Sequence, residues 1–236
     1  MVSEHNKALL KTVSTATLAT ALFRRGFKRQ FIQNVQPLAP LTHSMVGEAF
    51  TLRYMPARED LDTLESFRDH GHLQRQAVET CPPGAVLVID SRKDANAASA
   101  GGILVNRLLQ RGVAGVVTDG GFRDSAEIAS LAIPAFHTRP SAPTNLCLHH
   151  AVAINDPIGC GDAPVFPGDI IVGDADGVIV IPAHIADEIA EEAVNMTIFE
   201  DFVTAQVRAG ASILGLYPPT DPQSLEAFEN WKKSRQ

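Results

Sequence analysis

Two glycine pairs set around one short apolar strand constrain this chain more than any other stretch. Residues 101–127 read GGILVNRLLQRGVAGVVTDGGFRDSAE. Gly101-Gly102 opens an apolar run, Ile103 to Leu109, that predicts a helix. Gly112 suits the left-handed residue that closes such a helix. Ala114 to Thr118 is valine-rich and bounded by glycine, the pattern of a short buried strand. Gly120-Gly121 predicts a turn, with Arg123, Asp124 and Glu127 opening the next helical segment over Asp124 to Leu131.

The residue types in this stretch suit a small anion held beside a cation. A Gly-Gly helix start leaves backbone N–H groups free and turns the positive end of the helix dipole outward. Ligands of α/β proteins gather at the carboxyl ends of strands, where the second glycine pair brings Arg123 and Asp124. A guanidinium grips a carboxylate in a bidentate way. A carboxylate oxygen is a hard ligand for Mg2+ or Mn2+. Glu127, three residues on, shares a helical face with Asp124 and reaches such an ion through water. A surface ion network at a helix N-terminus would use the same three residues, because acids in a first turn are favoured by the dipole alone.

The pattern Gly102-x20-Arg123-Asp124-x2-Glu127 resembles the signature of the RraA-like family, the class II aldolases of 4-hydroxy-4-methyl-2-oxoglutarate and 4-carboxy-4-hydroxy-2-oxoadipate. A second segment, PIGCGDAPVFPGDIIVGDADGVIVIP from Pro157 to Pro182, resembles that family's glycine- and aspartate-punctuated strand pair. The likeness covers roughly Ser14 to Glu200. It implies an α/β fold, an αββα sandwich of the swivelling β/β/α type, assembled as homotrimers or hexamers with sites between subunits. It also implies a metal-dependent lyase. The pyruvoyl end of a 2-oxo acid would lie against the backbone of Gly101, Gly102, Ile103 and Leu104. Arg123 would bind its carboxylate or keto oxygen, and Asp124 would hold Mg2+ or Mn2+.

Carbon–carbon cleavage of a 2-oxo-4-hydroxy acid leaves a pyruvate enolate, whose charge calls for a Lewis acid and a cation. Oxaloacetate decarboxylation passes through the same enolate, so that side activity is expected. Lys93 is the only lysine between Lys28 and Lys232, which argues against an imine mechanism. Many catalytic members carry an acid directly after the first glycine, where this chain has Gly102. Asp94, Asp119, Glu127 or a neighbouring subunit's Glu200 are the candidates to replace it. Some RraA members are instead non-catalytic regulators that bind ribonuclease E. Those depart from the Arg-Asp pair that this chain keeps, which favours the enzyme.

A phosphohistidine swivelling domain of the pyruvate-handling phosphotransferases shares the GVVTDGG…IPAF layout. Its turn carries a histidine, and Phe122-Arg123-Asp124-Ser125 has none, so phosphotransfer is excluded while a related fold stands.

The remaining sequence frames this core. The 236 residues suffice for one domain, with a core over about 14–217 and a C-terminal helical extension over 218–236. A net charge of −7 gives no basic footprint for nucleic acid or for an anionic membrane. No stretch has membrane-spanning length and the first ten residues carry no signal core, so a cytoplasmic setting is expected. Cys81, Cys147 and Cys160 show no C-x-x-C spacing and predict neither zinc nor a disulfide.

Ser14 to Arg24 predicts a helix, as do Leu61 to Glu79 with a break near Gly71, Ala183 to Ala209, and Pro222 to Lys233. Strands are expected at Met45–Tyr54, Ala85–Asp90, Ile133–His137 and Ala151–Ile154. A hairpin is expected across GDADG, between Asp169–Val172 and Val178–Ile181. Phe27 to Leu41 and Ser91 to Ala100 read as loops, from which Asp90 and Asp94 can approach the site or cap a turn.

Overall fold

The computed structural model describes residues 2–234. Two helices come first, α1 (Glu4–Leu10) and α2 (Thr15–Arg24), capped by the side chains of Ser3 and Ser14. Two-residue strands β1 (Phe31–Ile32) and β2 (Gln36–Pro37) follow, then the long β3 (Met45–Pro56). After a 3-10 turn at Leu64–Arg68 come α3 (Leu73–Thr80), β4 (Ala85–Asp90) and β5 (Ala98–Ala100). The glycine-paired stretch supplies α4 (Gly102–Gln110), β6 (Gly115–Thr118), β7 (Gly121–Phe122) and α5 (Ser125–Ala129). Strands β8 (Ala135–His137), β9 (Arg139–Pro140), β10 (His149–Ile154), β11 (Ile158–Cys160) and β12 (Ala163–Val165) continue the chain. Hairpin β13 (Ile170–Asp174) and β14 (Gly177–Ile181) precedes the long α6 (Ala186–Arg208) and α7 (Pro222–Lys233).

The main sheet runs β1-β14-β13-β3-β4-β6-β8-β2, with β10 added on β3. Its strands alternate between two environments, as the two-residue period of a strand requires. Leu87, Ile89 and Val116 face outward onto α3 and α4, while Val86, Val88 and Val117 face inward. Ile170, Val172, Ile179 and Ile181 face outward onto α1, α2 and α6, while Ile171, Val178 and Val180 join the same inner cluster. The sheet therefore curls until its two halves pack face to face, helices covering both outer sides. This is the αββα sandwich. Each fully buried aliphatic side chain in these layers contributes about 1.5–3 kcal/mol.

Residues 27–41 are not a free loop. Phe31–Ile32 pairs antiparallel with β14 and Gln36–Pro37 with β8, so this one segment stitches both edges of the curled sheet. Two-residue strands carry too little periodicity to be seen in sequence; they form because unpaired edges are available. Helix α1 likewise escaped the sequence reading.

The GDADG turn is the expected tight hairpin, with Asp174 paired to Gly177. Asp174 also reaches across to accept from the Thr15 N–H (2.7 Å) and the Thr15 hydroxyl (2.8 Å), at the N-terminus of α2. Asp174→Ala is expected to cost about 1–2 kcal/mol, the scale of a lost helix cap. The shift of the urea midpoint at unchanged slope measures it. The C-terminal helix α7 closes an aromatic cluster in which Phe228 lies 5.1 Å from Phe199 and 5.5 Å from Phe202. Among the described residues no helix is long and apolar enough to cross a membrane.

Candidate functional site

A second, three-stranded parallel sheet, β5-β7-β9, builds the site. Ala100 pairs with Phe122, so the residues that follow them, Gly101 and Arg123, emerge side by side. The Arg123 N–H donates to the Ala100 carbonyl at 3.1 Å and locks that register. Within Ser91–Ala100, expected as loop, Ala98–Ala100 is instead a strand, held by buried hydroxyls. Ser99 Oγ lies 2.6 Å from both Ser91 Oγ and Thr118 Oγ1, and Tyr54 Oη donates to the Ser99 carbonyl at 2.9 Å. The chain bends at Asp119-Gly120 between β6 and β7, and a Cβ on Gly120 would sit 2.6 Å from Ser99 Oγ and 2.7 Å from Ser91 Cβ, so this glycine also serves the close approach of neighbouring segments.

Gly101 precedes the first turn of α4 as its N-cap. A Cβ there would come within 2.8 Å of Arg123 Cγ and 2.9 Å of Asp124 Oδ2, so only glycine lets the pair lie over the helix start. Asp124 adopts a left-handed backbone (φ 56°), tolerated best by Asn and Asp, and begins α5. Its Oδ2 accepts the Gly102 N–H at 3.1 Å and lies 3.4 Å from Arg123 Nε. Neither Ile103 nor Leu104 N–H has an acceptor among the described residues, as the first turn of a helix dictates.

Glu127 turns back toward the same helix start. Its Oε1 accepts from Asn106 Nδ2 at 2.8 Å, and that amide also donates to the Gly102 carbonyl at 2.9 Å. A Cβ on Gly102 would meet Glu127 Oε2 at 2.6 Å. The Glu127 carboxylate therefore occupies the space that a side chain at position 102 would fill. Asn106 was not anticipated, although its place four residues after Gly102, one helical turn on, is a legible signal.

Gly101, Ile103, Leu104, Arg123 and Asp124 line one cleft of about 190 Å3. That is below the 300–1,000 Å3 typical of drug-sized ligands, so it suits a small acid. Asp124 Oδ1 has no partner among the described residues and is open to a cation. No group of three or more His, Cys, Asp or Glu converges among the described residues, so a zinc-type cage is not present. One carboxylate with water and ligand oxygens fits Mg2+ or Mn2+ instead.

The other candidates lie elsewhere. Asp90 and Asp94 cap their own loop, accepting from the N–H groups of Arg92 and Asn96. Asp119 is buried and tied to three backbone N–H groups. Glu200 accepts from Thr17 Oγ1 at 2.7 Å, in the helical layer across the sandwich from α4. His137 stacks on Phe122, and burial pushes its pKa down to about 4. Cys160 is fully buried, its thiol held well above the usual range by that burial.

A family model described as RraA-like, Aldolase/RraA, matches residues 15–180. The chain belongs to the RraA-like family. Among curated relatives, a protein of Halalkalibacterium halodurans named "Putative 4-hydroxy-4-methyl-2-oxoglutarate aldolase" is 38% identical over 120 residues, 50% of this chain. The match spans only 56% of that relative's length. A Burkholderia mallei protein of the same name is 35% identical over 122 residues, covering 50% of this chain and 70% of its own. Among solved structures, RraAS2 of Streptomyces coelicolor, titled an unusual member of the RNase ES inhibitor RraA protein family, superposes with a TM-score of 0.75. It is 29% identical, over 85% of this chain and 96% of its own. RraA-like relatives thus carry both aldolase and inhibitor names.

Proposed function

We propose that this RraA-like protein is a divalent-metal-dependent lyase that cleaves a 2-oxo-4-hydroxy acid and releases pyruvate. The observation that carries the reading is the Glu127 carboxylate seated over Gly102, beside Arg123 and Asp124 at one helix start. An acid is thus present at the position where Gly102 left the sequence without one.

In this reading the Ile103 and Leu104 N–H groups hold the C1 carboxylate, aided by the α4 dipole. The Arg123 guanidinium faces the 2-oxo oxygen, where negative charge develops as the C3–C4 bond breaks. Glu127 accepts the C4 hydroxyl proton as that hydroxyl becomes a carbonyl, and delivers a proton to C3 of the enolate to give pyruvate. Asn106 holds Glu127 in place for both transfers. Mg2+ or Mn2+ on Asp124 supplies Lewis-acid stabilisation of the enolate charge when bound. Oxaloacetate, losing CO2 through the same enolate, is the accompanying substrate.

The same reading has a cytoplasmic homotrimer or hexamer in which a second copy's Glu200 completes the site. It takes a small 2-oxo acid as its partner, with neither nucleic acid nor membrane. Ile103, 84% exposed at the cleft mouth, is the kind of apolar surface that such an assembly covers.

The test is pyruvate release from 4-hydroxy-4-methyl-2-oxoglutarate, oxaloacetate and 2-keto-3-deoxy sugar acids, with Mg2+ and with a chelator. Release that the chelator abolishes is expected. Silence with every substrate in folded, metal-replete protein would sink the lyase. The inhibitor name of the Streptomyces coelicolor neighbour favours a second reading, a regulator that binds ribonuclease E or another protein. A regulator without a metal site gains no melting temperature from Mg2+ plus pyruvate, whereas the lyase does.

A further inference from the structure

Between β3 and α3 the chain leaves the body of the fold for an excursion, residues 57–72, that reaches the cleft through one side chain. Among the described residues, every backbone–backbone hydrogen bond made by residues 58–71 closes within residues 58–72. Leu61 and Asp62 donate to the Arg58 carbonyl, Ser66 to Thr63, Asp69 to Ser66, and His72 to Asp69. The last backbone tie to the body is the Ala57 N–H on the Leu148 carbonyl at 3.0 Å, and the chain rejoins it at α3. Of residues 58–71 only Asp62, Ser66 and Phe67 withdraw from solvent. Asp62 Oδ1 lies 2.8 Å from His150 Nδ1 of β10, and the Asp62 side chain is 4% exposed. Phe67 lines the cleft with Gly101, Arg123 and Asp124. The Arg75 guanidinium lies over its ring, 4.5 Å from the centroid, and His72 meets it edge-on at 5.2 Å. The Gln76 side-chain amide adds one bond to the His70 carbonyl. A segment tied down by a few side chains, with its backbone bonds all its own, belongs to the low-stability end of a fold. At its C-terminal end His72 Nδ1 is buried without a hydrogen-bond partner. That unmet group raises the energy of the present position and brings an open one closer to it.

We propose that residues 57–72 form a lid that swings as one unit on Ala57 and Gly71, latched to the body by Asp62 and His150, with Phe67 as the plug that shuts the cleft. The latched position is the closed one, because Phe67 then stands in the cleft wall. Each opening breaks the Asp62–His150 contact and lifts Phe67 off Arg75 and His72, while the backbone bonds of the segment travel with it. A small acid in the cleft touches Phe67 only when the lid is down, so its binding favours the latched state. What the lid shields rests on the lyase reading: a closed lid keeps bulk water from the enolate, so that the C3 proton comes from Glu127.

Hydrogen exchange read by mass spectrometry on the full chain tests the lid. The amides of residues 58–71 are expected to exchange together, about 100-fold or more faster than those of β4 at the centre of the sheet. His150→Phe removes the latch from the body side and should speed the segment about fivefold, the scale of one side-chain hydrogen bond, while β4 keeps its rate. Asp62→Ala is the second latch variant and should act in the same direction. Mg2+ with saturating pyruvate should slow the segment about tenfold, and Phe67→Ala should cancel most of that slowing. A segment that exchanges no faster than β4, or a rate untouched by both latch variants, would overturn the lid. So would a rate that stays the same when calorimetry shows pyruvate bound. Calorimetry that detects no pyruvate binding would remove the lyase reading instead, and the two latch variants would then decide the lid alone.

Discussion

On the lyase reading proposed above, Arg123→Ala is expected to lower kcat for pyruvate release by about 100- to 1,000-fold, the effect of removing one preorganised donor from a developing oxyanion. Stability will barely change. The Arg123 side chain is 46% exposed and its contact with Asp124 spans 3.4 Å. An exposed pair of that kind is worth about 0–1 kcal/mol, a shift of at most about 4 °C in a chain of this length. The separation of the two effects is the diagnostic result. Steady-state kinetics and a thermal melt on the same preparation measure it. A variant that keeps its melting temperature and its turnover would remove Arg123 from the reaction. A variant that loses both would make it a structural residue. Arg123→Lys should recover little, because a point charge lacks the planar fork that faces carboxylate and oxo oxygens together.

Asp119→Ala will unfold the protein far more readily, costing about 4 kcal/mol, or roughly 12 °C in melting temperature. Asp119 is 2% exposed, and its two oxygens accept from the N–H groups of Ser91 (2.7 Å), Lys93 (3.1 Å) and Gly161 (3.1 Å). Alanine leaves three backbone donors without acceptors, each costing about 1–3 kcal/mol, partly relieved by water entering the vacated space. Arg92 and Lys93 both hold left-handed backbone, φ 59° and 60°, which is unfavourable for their type. The carboxylates of Asp90 and Asp119 hold them there, by accepting the Arg92 and Lys93 N–H groups.

Burial pushes the Asp119 pKa up to about 6 from 3.8, against the three N–H groups that pull it down. The folded value lies above the unfolded one, so the group's pH-linked stability is full below about 4 and is lost as pH rises through about 6. A shift of about two units corresponds to roughly 3 kcal/mol. Relative to Asp119→Asn, the wild type should therefore gain stability as pH falls from about 6 to about 4. Urea denaturation at a series of pH values measures the difference. The opposite slope would mean that the three N–H groups outweigh burial.

Much of the frame was legible because it is periodic. The apolar run after Gly102, the valines of β6, the GDADG hairpin and the Pro222–Lys233 helix all stand where their spacing put them. What escaped were elements with no period of their own. Strands β1, β2, β5, β7 and β9 are two or three residues long, and each exists only because a distant edge accepts it. The bend at Gly120 is legible from its glycine pair, whereas its close packing is not, since the neighbours that crowd it, Ser91 and Ser99, are far from it along the chain.

The site divides in the same way. Sequence alone determined that Gly101, Gly102, Arg123, Asp124 and Glu127 belong to one glycine-paired unit, because they lie within a single helix–strand–helix and follow local rules of turn and cap. Only the tertiary structure decided that Glu127 fills the space beside Gly102, and that Phe67, Arg75 and Asn145 line the same cleft as Arg123 and Asp124. Those placements come from the parallel pairing of β5 with β7 and from the curl of the main sheet. Such pairings are set by burial and by backbone hydrogen bonds between segments remote in the chain, which no local pattern encodes.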